Sequence, residues 1–472
     1  MSALWTAAEA AAATSGTAGG DWQAAGISID SRTVAAGDLF VALAGPRFDG
    51  HDFVAEALAR GAVAAMVARL PAGLAAGAPI LMVGDTLKAL EDLGRVARHR
   101  GTAKVIGVTG SVGKTGTKEA LKRSLERQGR TIASAGSLNN HWGVPLSLAR
   151  MPRDAAYAVI EMGMNHPGEI DALSRLAAPD VAVITTVEPV HLGFFPSVEA
   201  IADAKAEIFN GMTPHGAAVL NQDNPHFARL AAAARTAGVA CILGFGDHPN
   251  AAVHLIEAYL YSTASAVTAS VMGEVVDYCV SMPGRHWVMN SLAVMAAVQA
   301  VGGDIAAAAA AMGQLEALDG RGRRHRVALP AGEALLIDES YNANPASMRA
   351  AITVLGTTEP RAGGRRIAVL GDMLELGDTA AELHQGLAEP LRLAGVDLVF
   401  AVGPEMARLY QSLPAKQRGA HAATAAEMAP QIAAALRAGD VVMVKGSCGS
   451  RVSEIAKHLL AAVRRPALAT KG

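Results

Sequence analysis

The stretch Val105-Ile-Gly-Val-Thr-Gly-Ser-Val-Gly-Lys-Thr115 decides how the rest of the chain is read. Val105 to Val108 form a short apolar run that reads as a buried strand, and glycine-rich sequence joins it to a helical pattern. Glycines in such a turn let backbone N–H groups converge on phosphate oxygens, and the helix N-terminus adds the positive end of its dipole. Gly110, Ser111, Val112, Gly113, Lys114, Thr115 and Gly116 are therefore the candidate nucleotide ligands. Lys114 is expected at the β- and γ-phosphates, and the Thr115 hydroxyl at a Mg²⁺ ion. Val108 occupies the position where the commonest form of this loop has its first glycine, so the loop is a variant. No Asn-Lys-x-Asp motif accompanies it, which weakens a GTPase reading.

Outward from this loop, the apolar runs 158–160, 181–184, 217–220 and 240–243 alternate with helical stretches. That alternation predicts βαβ units and a mostly parallel, buried sheet. Residues 252–282 are β-branched and predict antiparallel strands at a sheet edge. The basic segment Asp319–Arg326 is a hinge candidate, with a solvated linker as the plain alternative. The runs 335–337, 367–370, 398–401 and 441–444 beyond it predict a second α/β domain. Before the loop, Asp38–Leu43 predicts a strand and Phe53–Arg60 a helix. The expected division is 1–98, 99–322 and 323–472, all α/β, which agrees with about 150 residues per domain over a chain of 472.

Composition bounds the class. Apolar residues make up 51% and charged residues 18%, enough for real cores and too apolar for a disordered chain. The 41 basic and 43 acidic residues leave a net charge of -2, which gives no electrostatic argument for nucleic acid or anionic lipid. Cys241, Cys279 and Cys448 are too scattered for a disulfide framework or a zinc site and fit a reducing compartment. The N-terminus lacks a basic region before its apolar stretch, and no apolar run reaches about 18 residues. A cytoplasmic monomer with no nucleic-acid or membrane partner is expected.

Ligands of parallel sheets gather at the carboxyl ends of the strands. Glu161 closes one predicted strand and is a candidate second Mg²⁺ ligand, though a turn carboxylate would look the same. His191 follows the next strand and is a metal candidate on equal terms with a satisfied surface histidine. Lys205 stands in a helical pattern with Ile201, Ile208 and Phe209, where a surface lysine is the plain reading.

Taken together these motifs resemble the Mur ligases, ATP-dependent amide-forming enzymes of peptidoglycan synthesis. The residues that carry the resemblance are Thr109–Thr115, Ser137–Asn140 with Gly143–Pro145, Ala204–Phe209 and Pro283–His286. Asp338–Pro345, Gly371–Gly377 and Val444–Ser447 complete it, and it covers nearly the whole chain from Asp30 to about Glu454. The branch most resembled adds D-alanyl-D-alanine to UDP-N-acetylmuramoyl-tripeptide. The resemblance implies a UDP-sugar domain, a central ATP domain and a C-terminal Rossmann-like domain.

It also implies roles for single residues. Ser31, Arg32, Asp49 and His51 look like the UDP-sugar site, and Asn139 and Asn140 like contacts at the junction with the ATP domain. Thr115, Glu161, His191 and Lys205 look like the Mg²⁺ set, with Lys205 in the position of the family's carbamylated lysine. Asn290 resembles the adenine contact, and Arg321 and Asp338 the γ-phosphate and ribose contacts. Lys114, Lys205 and His191 are the implied catalytic groups, and ATP and Mg²⁺ the implied cofactors. Arg323 competes with Arg321 for one role. Trp287 replaces the second residue of the family's frequent His-Asn-x-x-Asn, and Cys448 stands where arginine is frequent. The alternatives are a Mur or folylpolyglutamate-synthase-like ligase with another amino acid, and a P-loop ATPase that binds a protein partner.

Overall fold

The computed structural model describes residues 3–74, 77–190 and 192–462. The strand expected around Val105 runs from Lys104 to Thr109 in a nine-stranded sheet. Tyr157–Glu161 and then Thr131–Ala133 lie on one side of it. Val181–Ile184, Ala217–Asn221 and Cys241–Gly246 follow on the other, and all six strands are parallel. Val105 through Thr109 are all buried because helices cover both faces, which is why the run is apolar without alternation. Ile106 and Val108 pack toward the helices Lys114–Leu125 and Arg285–Ala300. Val105 faces Gly143–Ala149, Glu169–Ala177 and Val198–Ala206. The β-branched segment extends the sheet, with Val253–Leu260, Ser265–Val271 and Glu274–Val280 joined by antiparallel pairings at its edge.

The N-terminal unit holds a five-stranded sheet from Thr17–Ala18 to Ile80–Met82. Its closing helix, Thr86–His99, is capped by the Asp85 carboxylate and packs on Gly143–Ala149. The join is polar as well. Trp5 Nε1 donates to the Ala149 carbonyl at 2.9 Å, and Arg150 Nε to that of Ile27 at 2.7 Å.

The C-terminal unit is a six-stranded sheet ordered Arg323–Leu329, Gly332–Glu339, Val441–Lys445, Arg366–Gly371, Leu398–Val402, Arg418–Ala422. Only the first strand is antiparallel to its neighbour. This corrects the hinge expectation. Asp319–Gly322 connects, but Arg323 to Arg326 already belong to the edge strand, where Arg323 and Arg326 stay exposed and discourage further pairing while Arg324 is half-buried and donates to the Ser262 carbonyl. The three cysteines are unpaired and exposed. Among the described residues no helix is long and apolar enough to cross a membrane.

Candidate active site

The strand Lys104–Thr109 ends beside Glu161 and Ile184, with Val108 paired to Glu161 and Thr109 to Ile184. The glycine-rich loop therefore opens where three parallel strands finish. Gly110, at φ +147°, lies so close to Thr185 that a β-carbon would stand 1.9 Å from its Oγ1. Gly113 sits at φ +86° as the cap of the helix Lys114–Leu125, against the side-chain oxygen of Asn290. Hydrogen bonds then fix the loop to the segment after Ile184. Thr185 Oγ1 donates to the Val112 carbonyl at 2.5 Å, Ser111 N to that of Thr186 at 2.8 Å, and Glu188 N to Ser111 Oγ at 2.9 Å.

This loop floors a cleft of about 1060 Å³ between the central and C-terminal units. From the central side it is lined by Ser111 to Gly116, Asn139, Asn140, Glu161 and Asn290, from the connecting segment by Arg321, and from the C-terminal side by Glu339, Tyr341 and Lys445. The Lys114 ammonium donates to the Gly110 carbonyl at 2.6 Å. Burial lowers its pKa from the ordinary lysine value; the Glu161 carboxylate opposes this, and the Arg321 guanidinium adds to it. Arg321 stacks on Tyr341, with its guanidinium carbon 4.0 Å from the ring centroid. Lys445 Nζ donates to the Asn342 carbonyl at 3.0 Å and stands 3.5 Å from Glu339 Oε2. His286 also lines the cleft.

Glu161 is 1% exposed. Its Oε1 accepts from Asn139 Nδ2 at 2.8 Å, while Oε2 has no hydrogen-bond partner among the described residues. A buried carboxylate oxygen left without a donor at the rim of a phosphate loop suits a hard cation, and the Thr115 hydroxyl lines the same cleft. The donor set therefore fits Mg²⁺. Lys205 is no surface lysine. It is 2% exposed at the end of the helix Val198–Ala206. Burial first, and the Lys114 ammonium second, hold its pKa well below the ordinary lysine value. His191 lies outside the described residues.

The structure separates residues that the sequence left level. Arg321 lines the cleft; Arg323 is exposed and pairs with Asp319. Asp338 is turned away from the cleft lining, and its carboxylate accepts from Ser340 N at 3.1 Å; the next residue, Glu339, faces the cleft instead. Asn140 Oδ1 accepts from Gly143 N at 3.0 Å and so starts the helix Gly143–Ala149. Trp287 packs its ring edge against Gly116.

The UDP-sugar candidates are placed apart from this cleft, on the N-terminal unit. Ser31 Oγ donates to Glu56 Oε2 at 3.4 Å, and Arg32 pairs with Asp30 at 2.7 Å while remaining exposed. His51 is buried, with Nδ1 2.6 Å from Asp49 Oδ1 and Nε2 accepting from Ala68 N at 3.0 Å. Both ring nitrogens are thus occupied within the fold, and His51 shapes the turn that carries Asp49 rather than presenting a free ring. Asp49 also pairs with Arg69 at 2.7 Å. The residues that sequence reading passed over are Glu339, Tyr341 and Lys445, which lie inside quoted motifs, and Lys118, which no motif marked.

Comparison with known proteins agrees over most of the chain. The Mur ligase family catalytic domain matches residues 23–98, the Mur ligase middle domain residues 108–298, and the Mur ligase glutamate ligase domain residues 322–448. A UDP-N-acetylmuramoyl-tripeptide--D-alanyl-D-alanine ligase of Escherichia coli is 35% identical over 92% of this chain and 93% of its own length. Its counterpart in Rickettsia prowazekii is 32% identical over 92% and 94%. Among solved structures, MurF from Acinetobacter baumannii superposes with a TM-score of 0.83 at 32% identity, covering 97% of this chain and 99% of that one. MurF ligase from Thermotoga maritima in complex with ADP gives 0.76 at 28%, covering 93% and 97%. An FPGS variant from L. casei shares only the fold, at 0.55 and 17%.

Proposed function

The chain belongs to the Mur ligase family, and from that premise we propose that it joins D-alanyl-D-alanine to UDP-N-acetylmuramoyl-tripeptide with consumption of ATP. The observation that carries this is one cleft in which Lys114, Glu161 and Asn139 of the central unit face Arg321 of the connecting segment and Glu339 and Lys445 of the C-terminal unit.

A carboxylate is a poor acylating agent. When its oxygen takes the γ-phosphoryl of ATP, ADP leaves and an acyl phosphate with a good leaving group is formed. The amine of D-alanyl-D-alanine then attacks the acyl carbon, and the tetrahedral adduct collapses to amide and phosphate with release of one proton. The first step brings anions together, so it depends on positive charge arranged beforehand. Lys114 supplies that charge from the loop, and Arg321 and Lys445 supply it from the opposite wall. The loop N–H groups orient the phosphates, and Asn290 lies against the loop at Gly113. The C-terminal unit covers the site and keeps water from the acyl phosphate.

Thr115, Glu161, Lys205 as its carbamate, and His191 are proposed to hold Mg²⁺. When bound, the metal offsets charge on the phosphate and carboxylate oxygens. Burial favours the uncharged amine of Lys205, and an uncharged amine can add CO₂ with loss of a proton to become an oxygen donor. Asn290 is proposed at the adenine. Ser31, Arg32 and Asp49 are proposed at the UDP-sugar, with His51 supporting Asp49 and Asn139 and Asn140 at the junction. The division at 1–98, 99–322 and 323–472 is kept as a proposal. A cytoplasmic setting is proposed with it, in keeping with ATP use and three unpaired cysteines.

The test is incubation with ATP, UDP-N-acetylmuramoyl-tripeptide and D-alanyl-D-alanine, followed by mass analysis. The expected product carries both added alanines, with one ADP formed per amide. ATP hydrolysis without that mass, or coupling to a different amino acid in a substrate panel, would reject the reading.

A further inference from the structure

Lys118 is among the largest fully buried side chains of the protein, at 0% exposure. It lies one turn beyond Lys114 on the loop helix, so the two lysines share a helix face. A buried ammonium is costly unless its three donors are matched. Here they are. Nζ donates to the Ser134 carbonyl at 2.7 Å and the Gly136 carbonyl at 2.8 Å, and it pairs with Glu119 Oε1 at 2.9 Å. Glu161 Oε2 stands 3.9 Å away, too far for a hydrogen bond and near enough for attraction.

The two carbonyls belong to the segment that follows the strand Thr131–Ala133 and leads to Asn139. The same segment grips Glu161 in two places. Ser134 Oγ accepts from Glu161 N at 3.1 Å, and Asn139 Nδ2 donates to Glu161 Oε1 at 2.8 Å. Asn139 is itself held by Gly163 N, which donates to its carbonyl at 2.8 Å. Lys118 therefore ties the loop helix to the segment that fixes one oxygen of Glu161, and its own charge draws on the other without occupying it.

We propose that Lys118 is a positioning residue, which locks the Ser134–Asn139 segment and so aims the unbonded oxygen of Glu161 into the cleft. The inference rests on the proposed reading of Glu161 as a magnesium ligand. A purely structural lysine would give stability and nothing else, so the test needs a measurement that stability does not move.

That measurement is Mn²⁺ binding to the ADP-loaded enzyme, read by electron paramagnetic resonance, beside the kcat and KM for ATP. Lys118→Met keeps the stem and removes every donor. The expected result is a Mn²⁺ affinity weakened roughly tenfold or more, as for loss of a residue that supports a ligand. The kcat should fall, with the KM for ATP changed little. Asn139→Ala acts through the same carboxylate, so the double variant should lose little more than the worse single variant, whereas independent losses would multiply. Normal Mn²⁺ affinity and kcat in a folded Lys118→Met, or multiplying losses, would overturn the proposal. If Lys118→Met does not fold, Lys118→Gln retains a neutral donor, and the same two readings decide. Glu161→Gln separates the levels. Unchanged Mn²⁺ affinity in Glu161→Gln rejects Glu161 as the ligand. Weak binding there with normal binding in Lys118→Met rejects only Lys118.

Discussion

Arg321, in the segment that connects the central and C-terminal units, lies over the Tyr341 ring with its guanidinium carbon 4.0 Å from the centroid, and both residues line the cleft floored by the glycine-rich loop. The stack holds a planar cation with several donors in the cleft, an arrangement that a lysine cannot copy. Arg321→Ala should reduce kcat roughly 10²-fold, the scale of a lost preorganised contact. Arg321→Lys should recover little of it. Arg323→Ala should stay close to the parent, because its partner is the exposed Asp319. Steady-state assay of the three variants decides, and equal losses at 321 and 323 would remove the distinction.

Lys114→Ala should lower turnover roughly 10²-fold or more, since its charge acts where negative charge gathers during phosphoryl transfer. Phosphate release that stays coupled to amide formation at the parent rate would take the loop lysine out of the chemistry.

Lys205→Ala should be folded and nearly inactive. Short carboxylic acids added to the assay should restore part of the activity by standing where the carbamate was. A surface lysine would predict near-normal activity and no response to the acids. The 2% exposure of Lys205 already speaks against that, and the rescue experiment measures the rest.

Much of the site was legible because its chemistry is local. The loop Gly110–Thr115 is contiguous, and Glu161 ends a strand whose apolar run announces it. Lys118 was not legible, because between Thr117 and Glu119 it reads as one charged residue of a helix. Its meaning arises only when the carbonyls of Ser134 and Gly136 arrive from another strand. Asp338 and Glu339 show a second limit. Successive strand residues face opposite ways, so a one-residue uncertainty in phase exchanges the cleft side chain for its neighbour. His51 shows a third, since a polar turn looks alike whether it meets a ligand or its own backbone.

Trp287, with its ring edge against Gly116, makes the nucleotide loop optically observable. The chain has four tryptophans, and Trp5 and Trp22 are sealed in the N-terminal core at 1% and 6% exposure. Trp142 closes over Gly45, where the N-terminal and central units meet. One indole thus watches each joint of the enzyme while two serve as a steady background. Replacing Trp142 or Trp287 singly with phenylalanine would assign an emission change to the N-terminal joint or to the cleft, and time-resolved mixing would then give the order in which the two places respond to added substrates.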